Sequence, residues 1–120
     1  MKFLEGEMLH HALERRPAKR SEIAAAARIL VSLHSIDVVH GDFTPANLMN
    51  TKDGMAVIDF GLGSISNDDE DRGTDILTMK KALGKQGSAF EAAYSRAGGK
   101  PSAARMSEEI GKRGRYMERG

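Results

Sequence analysis

His40-Gly41-Asp42-Phe43-Thr44-Pro45-Ala46-Asn47 and Asp59-Phe60-Gly61 are the two stretches whose reading decides the fold. Between them, Leu48-Met49-Asn50 and Met55-Ala56-Val57-Ile58 flank Thr51-Lys52-Asp53-Gly54. An Asp-Gly pair between two short apolar runs predicts a β-hairpin. That hairpin puts Asn47 at the start of its first strand and Asp59 at the end of its second, so residues twelve positions apart become neighbours in space. Asp42 alone, between glycine and phenylalanine, reads as a turn former, and only its context lifts it above that.

Upstream, Met1 to Gly6 is apolar and extended in character, and Met8 to Arg20 is helix-compatible but interrupted by Pro17. The expectation there is a short helix followed by a basic turn. Ser21 is the expected N-cap of the next helix, with Glu22 favourable to the dipole in its first turn. Ile23, Ala27, Leu30 and Leu33 form one face of that helix, which should run to about His34 and be buried. Val38-Val39 is a β stub leading into the first string. Downstream, a loop from Gly61 to Arg72 precedes three predicted helices. The first covers about Thr74 to Leu83. The second, about Ser88 to Ala97, buries Phe90 and Tyr94 and stops at Gly98-Gly99. The third begins after Pro101 and ends near Gly111.

A chain of 120 residues, 40% apolar and 29% charged, suits one domain with one hydrophobic core. No apolar run approaches the ~18 residues of a membrane-spanning helix, and no signal-peptide core opens the chain. Without cysteine there is neither a disulfide framework nor a thiolate metal site, and a cytoplasmic location away from membranes is the expectation. Net charge is +1 but unevenly placed. Asp68 to Asp75 holds five carboxylates and one arginine, whereas Arg96 to Gly120 holds seven basic residues and three acidic ones. A basic tail suggests an acidic or nucleic-acid partner, and on charge alone a solvated helix end explains it as well.

Read as H-G-D-x-x-x-x-N and D-F-G, the two strings resemble the catalytic and metal-binding loops of the protein-kinase-like fold. The fold class implied is its carboxy-terminal lobe, mainly α with a short β-hairpin carrying the metal-binding loop. Phosphoryl transfer is mostly positioning and charge neutralisation. The resemblance makes Asp42 the residue that orients an acceptor hydroxyl or water and takes its proton, and makes Asn47 and Asp59 the ligands of Mg2+ with ATP as the nucleotide. Thr44 stands where many kinases have lysine and is a candidate contact to the transferring phosphate. His40 and Phe60 are expected to pack beneath the site. Asp75 corresponds to a helix-borne aspartate that holds the catalytic-loop backbone; as a bare sequence feature it is a helix N-terminal acid.

Gly41 replaces the arginine that pairs with a phosphorylated activation loop in regulated kinases, the loop after Gly61 is short, and an A-P-E string is absent. These features point to a small atypical kinase. Among such families the chain resembles the kinase/ATPase subunit of the KEOPS complex, a serine/threonine kinase family acting in tRNA N6-threonylcarbamoyladenosine formation. The matching pieces are His40-Gly41-Asp42, Ile58 to Gly63, Glu70-Asp71 with Asp75, and Arg113-Gly114-Arg115. The resemblance implies that residues 1–6 are a hinge remnant whose backbone at Lys2 and Leu4 meets adenine, with Met49 and Ile58 as the floor of that pocket. It implies that residues 40–61 hold the catalytic and metal loops. Residues 111–120 become a basic tail, where Lys112, Arg113 and Arg115 lie near tRNA and the tRNA threonylcarbamoyltransferase subunit.

The family's amino-terminal lobe, with its glycine-rich loop and phosphate-binding lysine, has no counterpart before residue 40. The expectation is a lobe whose missing half sits on a separate chain, has been cut off by a truncated gene product or a misassigned start, or has been lost, with negligible turnover in isolation. Two alternatives stand beside the enzymatic reading: a non-catalytic docking module for the transferase subunit, and a fragment of a small-molecule kinase of the aminoglycoside or choline type.

Overall fold

Apolar residues at helical spacing bury one face of α2 (Arg20–Ser35), where Ile23, Ala26, Ala27 and Leu30 are all inaccessible to solvent or nearly so. The computed structural model describes the backbone of residues 6–59 and 63–119 and the side chains of residues 6–59 and 63–114. It is helix-rich with two small antiparallel sheets. In chain order the elements are β1 (Gly6–Met8), α1 (Leu9–Leu13), α2, β2 (Val38–Val39), a one-turn 3₁₀ helix (Pro45–Asn47), β3 (Leu48–Thr51) and β4 (Gly54–Val57). Then follow β5 (Ser64–Ile65), α3 (Asp69–Leu83), a second 3₁₀ turn (Gly84–Gln86), α4 (Gly87–Arg96) and α5 (Pro101–Arg119).

The expected hairpin is present. β3 pairs with β4 from Leu48↔Val57 to Thr51↔Gly54, leaving Lys52-Asp53 as a two-residue loop. Thr51 Oγ1 donates to the Gly54 carbonyl at 2.7 Å and accepts from Asp53 N at 3.2 Å. β1 adds to the other edge of β3, with Gly6 opposite Thr51 and Met8 opposite Met49. The second sheet was not anticipated: β2 pairs with β5, Val38 opposite Ile65 and Val39 opposite Ser64, inside a segment expected to be loop. Two residues per strand carry no readable alternation, so only the pairing itself defines them.

Three helix boundaries differ from expectation, two for a local reason and one through packing. α2 starts one residue before Ser21: Lys19 is the N-cap, and its N–H donates to the Glu22 carboxylate at 2.8 Å. α3 starts at Asp69, because the Asp68 side chain accepts from Glu70 N at 2.8 Å and three acids in the first turn suit the helix dipole. α5 passes through Gly111 and Gly114 to Arg119. Two glycines cost a helix about 1 kcal/mol each relative to alanine, but α5 lies along α3, and that packing overrides the propensity. The approach is close at Gly73, where a β-carbon would sit 2.9 Å from Met106 Cγ and from Ser107 N.

The core joins these elements at Leu9, Leu30, Phe43, Leu48, Ile76, Met79, Phe90 and Tyr94. Phe43 belongs to the first of the two decisive strings and is wholly buried. Its ring meets Phe90 of α4 at a centroid separation of 6.3 Å and the edge of His40 at 5.7 Å. The string is thereby fixed to the helical layer from beneath. Among the described residues no helix is long and apolar enough to cross a membrane.

Candidate active site

Asp75, on the second turn of α3, is 1% exposed, and its carboxylate gathers three donors. Oδ2 accepts from His40 N at 2.8 Å and from His34 Nε2 at 2.9 Å, and Oδ1 accepts from Gly41 N at 2.9 Å. A buried carboxylate is tolerated only with such partners, and here two of them are main-chain N–H groups at the turn before Asp42. Gly41 has φ +89°, a conformation L side chains rarely adopt. The residue that removes the arginine of regulated kinases is therefore also the one this backbone turn requires.

The His40 ring lies beneath the same turn and faces two loops. Nδ1 accepts from Asp42 N at 3.1 Å, which assigns the proton to Nε2, and Nε2 donates to the main-chain oxygen of Asp59 at 2.5 Å. Asp42 and Asn47 are joined directly: Asn47 Nδ2 donates to the Asp42 carbonyl at 2.7 Å and to its Oδ2 at 3.1 Å. The one-turn helix between them is closed by Asn47 N on the Thr44 carbonyl at 3.0 Å. At the hairpin base, Ile58 N donates to the Asn47 carbonyl at 3.0 Å, bringing the segment before Asp59 against Asn47. With its amide N–H groups committed to Asp42, Asn47 keeps Oδ1 as its acceptor. The side-chain oxygens these loops present are the Asn47 amide oxygen and the exposed carboxylates of Asp42 and Asp59, the ligand type that Mg2+ prefers.

Behind Asp75 the chain of hydrogen bonds continues. His34 Nδ1 lies 2.7 Å from Tyr94 OH. With Nε2–H donating to Asp75, Nδ1 is the acceptor for the Tyr94 O–H. Burial pushes the Tyr94 hydroxyl up to about 12, so it remains a donor. Tyr94 is placed by the end of α4, where Gly98 N bonds the Ser95 carbonyl and Gly99 N bonds the Tyr94 carbonyl, with Gly98 at φ +100°. This is a Schellman cap. Gly99 presses on the Tyr94 ring, since a β-carbon there would fall 2.1 Å from Cε1.

Arg72, 2% exposed, ties the start of α3 to the turn before β2 by bonds to Asp37 Oδ1 at 3.0 Å, Asp69 Oδ1 at 3.2 Å and the Asn67 carbonyl at 2.9 Å. The acidic stretch read from the sequence is thus not one surface patch. Asp75 faces the string, Asp69 faces Arg72, and Asp71 accepts from Ser66 Oγ.

The remaining sequence candidates divide by position. Thr44 is half-buried and makes no side-chain cap bond. Met49 lies in β3 opposite Met8 and Ala56, and Ile58, just beyond β4, is 40% exposed. Lys112 and Arg113 are exposed on α5, and Arg113 donates to Glu70 Oε1 at 3.0 Å. Lys2, Leu4, Phe60 and the side chain of Arg115 lie outside the described residues, as does most of the Asp59-Phe60-Gly61 string.

Curated proteins similar to this chain share one theme. A probable bifunctional tRNA threonylcarbamoyladenosine biosynthesis protein of Methanocaldococcus jannaschii is 38% identical over 84 residues, 69% of this chain and 15% of that protein. A probable serine/threonine-protein kinase BUD32 homolog of Archaeoglobus fulgidus is 32% identical over 99 residues, 77% of this chain and 51% of the relative. The KEOPS complex subunit Bud32 of Pyrococcus abyssi is 33% identical over 85 residues, 69% of this chain and 39% of that subunit. The chain is a homologue of part of the KEOPS/Bud32 proteins. It spans about half the length, or less, of the curated relatives it matches. No protein-family model matches it.

In this Bud32 homologue, three supporting residues escaped sequence reasoning. Tyr94 was read only as core. His34 was read only as a helix end. Glu22 was read as a dipole residue, yet it is 6% exposed and binds Arg16 through both carboxylate oxygens at 2.9 Å, Lys19 N at 2.8 Å and Asn50 Nδ2 at 2.7 Å. The Arg16 guanidinium is the main cause that holds the Glu22 carboxyl down at about 2. It pins the basic turn and α2 to β3, and so to the hairpin that ends at the site. The available signal was local: an acid at the third helical position, three residues after Lys19 and six after Arg16.

Proposed function

We propose that this chain is the carboxy-terminal lobe of a Bud32-type atypical serine/threonine kinase or ATPase, serving tRNA threonylcarbamoyladenosine formation within a KEOPS complex. The observation that carries this reading is the pair of links His40–Asp59 and Asp42–Asn47, which bring one carboxylate, one amide and the main chain of a second aspartate to a single edge of the fold. In this reading Asp42 orients the acceptor hydroxyl or water and receives its proton. Asn47 Oδ1 and the Asp59 carboxylate hold Mg2+, which when bound neutralises charge on the phosphate oxygens. Asp75 and His40 act on the backbone of these groups and fix their separation. Met49 and Ile58 form an apolar floor for adenine, with the hinge at Lys2 and Leu4 beside it, and Thr44 approaches the phosphates. Residues 1–6 serve as hinge and residues 111–120 as a basic extension of α5 that engages tRNA beside the transferase subunit.

The names of the relatives, which pair kinase with tRNA modification and KEOPS, favour this over a small-molecule kinase. The decisive experiment assembles the protein with its KEOPS partner subunits and measures Mg2+-dependent ATP turnover. Asp42→Asn should lower turnover at least 100-fold with nucleotide binding retained, and Asp59→Asn should remove the enhancement of nucleotide binding by Mg2+. Wild-type turnover in Asp42→Asn, with Mg2+ dependence intact in Asp59→Asn, would leave only the docking reading.

A further inference from the structure

We propose that His10, His11 and Glu14 form a binding site for a zinc-like divalent cation at the end of α1, independent of the phosphoryl-transfer reading. One ligand atom from each residue lies within 4.8 Å of the other two. The spacing explains why: Glu14 stands four residues after His10 and three after His11, and those are the intervals that bring helical side chains onto a shared face. The two imidazole centroids are 4.1 Å apart. Two nitrogens and one carboxylate oxygen are a donor set for zinc, with a fourth position for water. Ligands at about 2.0–2.1 Å from a tetrahedral centre lie about 3.3 Å from one another, so rotation about side-chain bonds closes the ring without moving the helix.

The second observation is His10 itself. Its Nδ1 is buried and has no hydrogen-bond partner among the described residues. A buried polar atom without a partner is uncommon and costs free energy, and a cation is a partner to which an imidazole nitrogen can donate its lone pair. Glu14 is available as well. The neighbouring arginines are engaged elsewhere, Arg15 with Glu7 at 2.7 Å and Arg16 with Glu22 at 2.9 Å. His10 and Glu14 also line a cavity of about 320 Å³ whose other wall includes Thr44 and Pro45. A cation here would therefore fasten α1 beside the Asp42–Asn47 turn. The opening of that cavity leaves room for a water ligand.

The test is titration of the chelator-treated protein with Zn2+ alone, followed by calorimetry, with Co2+ absorption reporting coordination number. Saturable binding of one equivalent, a four-coordinate Co2+ spectrum and a Zn2+-dependent rise in Tm are expected. His11→Ala and Glu14→Gln each change an exposed residue, so the metal-free fold should persist. Each should weaken Zn2+ binding at least tenfold and abolish the rise in Tm. Absence of saturable binding by the wild type, or wild-type affinity in the double variant, overturns the proposal.

Discussion

The His40 imidazole spans the two loops of the candidate site, accepting from the backbone of Asp42 through Nδ1 and donating to the Asp59 carbonyl through Nε2. One ring therefore sets the separation of two carboxylate residues that lie seventeen positions apart in sequence. Its own backbone N–H is held by Asp75. Replacing His40 by leucine keeps the volume but leaves Asp42 N and Asp59 O without this partner. A loss of about 1–3 kcal/mol is expected, a fall in Tm of roughly 4–12 °C. Thermal denaturation checks this, and an unchanged Tm would show that the ring only packs.

Asp75 and Tyr94 should rank in order of how many donors or acceptors they strand. Asp75→Ala orphans two main-chain N–H groups and the His34 ring in a buried site, and should cost about 3–5 kcal/mol. Tyr94→Phe removes one hydrogen bond and should cost about 1 kcal/mol. Denaturant melts of both variants test this, and an unchanged midpoint in Tyr94→Phe would show that the Tyr94 ring only packs.

Glu22 gives the stability of the chain an acid limb. Its carboxyl titrates near 2 in the fold against an ordinary value of 4.5, chiefly because of the Arg16 hydrogen bonds. A lowered carboxylate value stabilises the fold above about pH 4.5, and that contribution is lost as pH falls towards 2. Glu22→Gln should be less stable than wild type at pH 7 and lose less stability between pH 4.5 and pH 2. Parallel pH profiles for the two proteins would refute the assignment.

Tyr94 gives an alkaline limb with the opposite sense. Burial raises its hydroxyl from 10.0 to about 12. The protonated form stabilises the fold below pH 10, and this contribution fades as pH rises from 10 to 12. Spectrophotometric titration should show one tyrosine ionising late in the folded protein and normally after unfolding. Tyr94→Phe should remove the late component.

Two glycines in the carboxy-terminal half should respond in opposite directions to alanine. At Gly99 the new methyl meets the Tyr94 ring, with its nearest carbon 2.1 Å away, and a loss of about 1–3 kcal/mol is expected. At Gly114, inside α5, nothing lies within 4 Å of the new atom, and alanine should stabilise by up to about 1 kcal/mol through helix propensity. Urea midpoints of the two variants decide it.

The basic end of α5 carries the last expectation. Arg113 pairs with Glu70 where both are about half exposed, so Arg113→Ala should change stability by less than about 1 kcal/mol. Replacement of Lys112, Arg113 and Arg115 together should weaken tRNA binding and reduce its salt dependence. Unchanged affinity would return these cations to a solvated helix face.

Much of the local structure was legible. The Asp-Gly turn announced the hairpin, alanine-rich spacing announced α2, and Gly98-Gly99 announced the end of α4. These signals are local: a φ preference, a missing β-carbon, a repeat of apolar positions. The passage of α5 through two glycines and the β2–β5 pairing were not legible, because each is decided by a partner distant in sequence, whereas the start of α3 follows a local signal, the Asp68 side chain capping Glu70 N.

The sequence by itself determined which chemical groups are present, that Asn47 and Asp59 flank a hairpin with Asp42 shortly before it, and that the chain resembles part of the KEOPS/Bud32 proteins. Tertiary structure alone decided how those groups are held. His34 and Tyr94 look like ordinary helix residues in sequence, and only the resemblance singles out Asp75, since a side chain's hydrogen-bond partners across the core leave no periodic trace in its neighbours. Burial then forces every one of their polar atoms to find a partner. In this fold those partners run from Tyr94 through His34 and Asp75 to the backbone beneath Asp42.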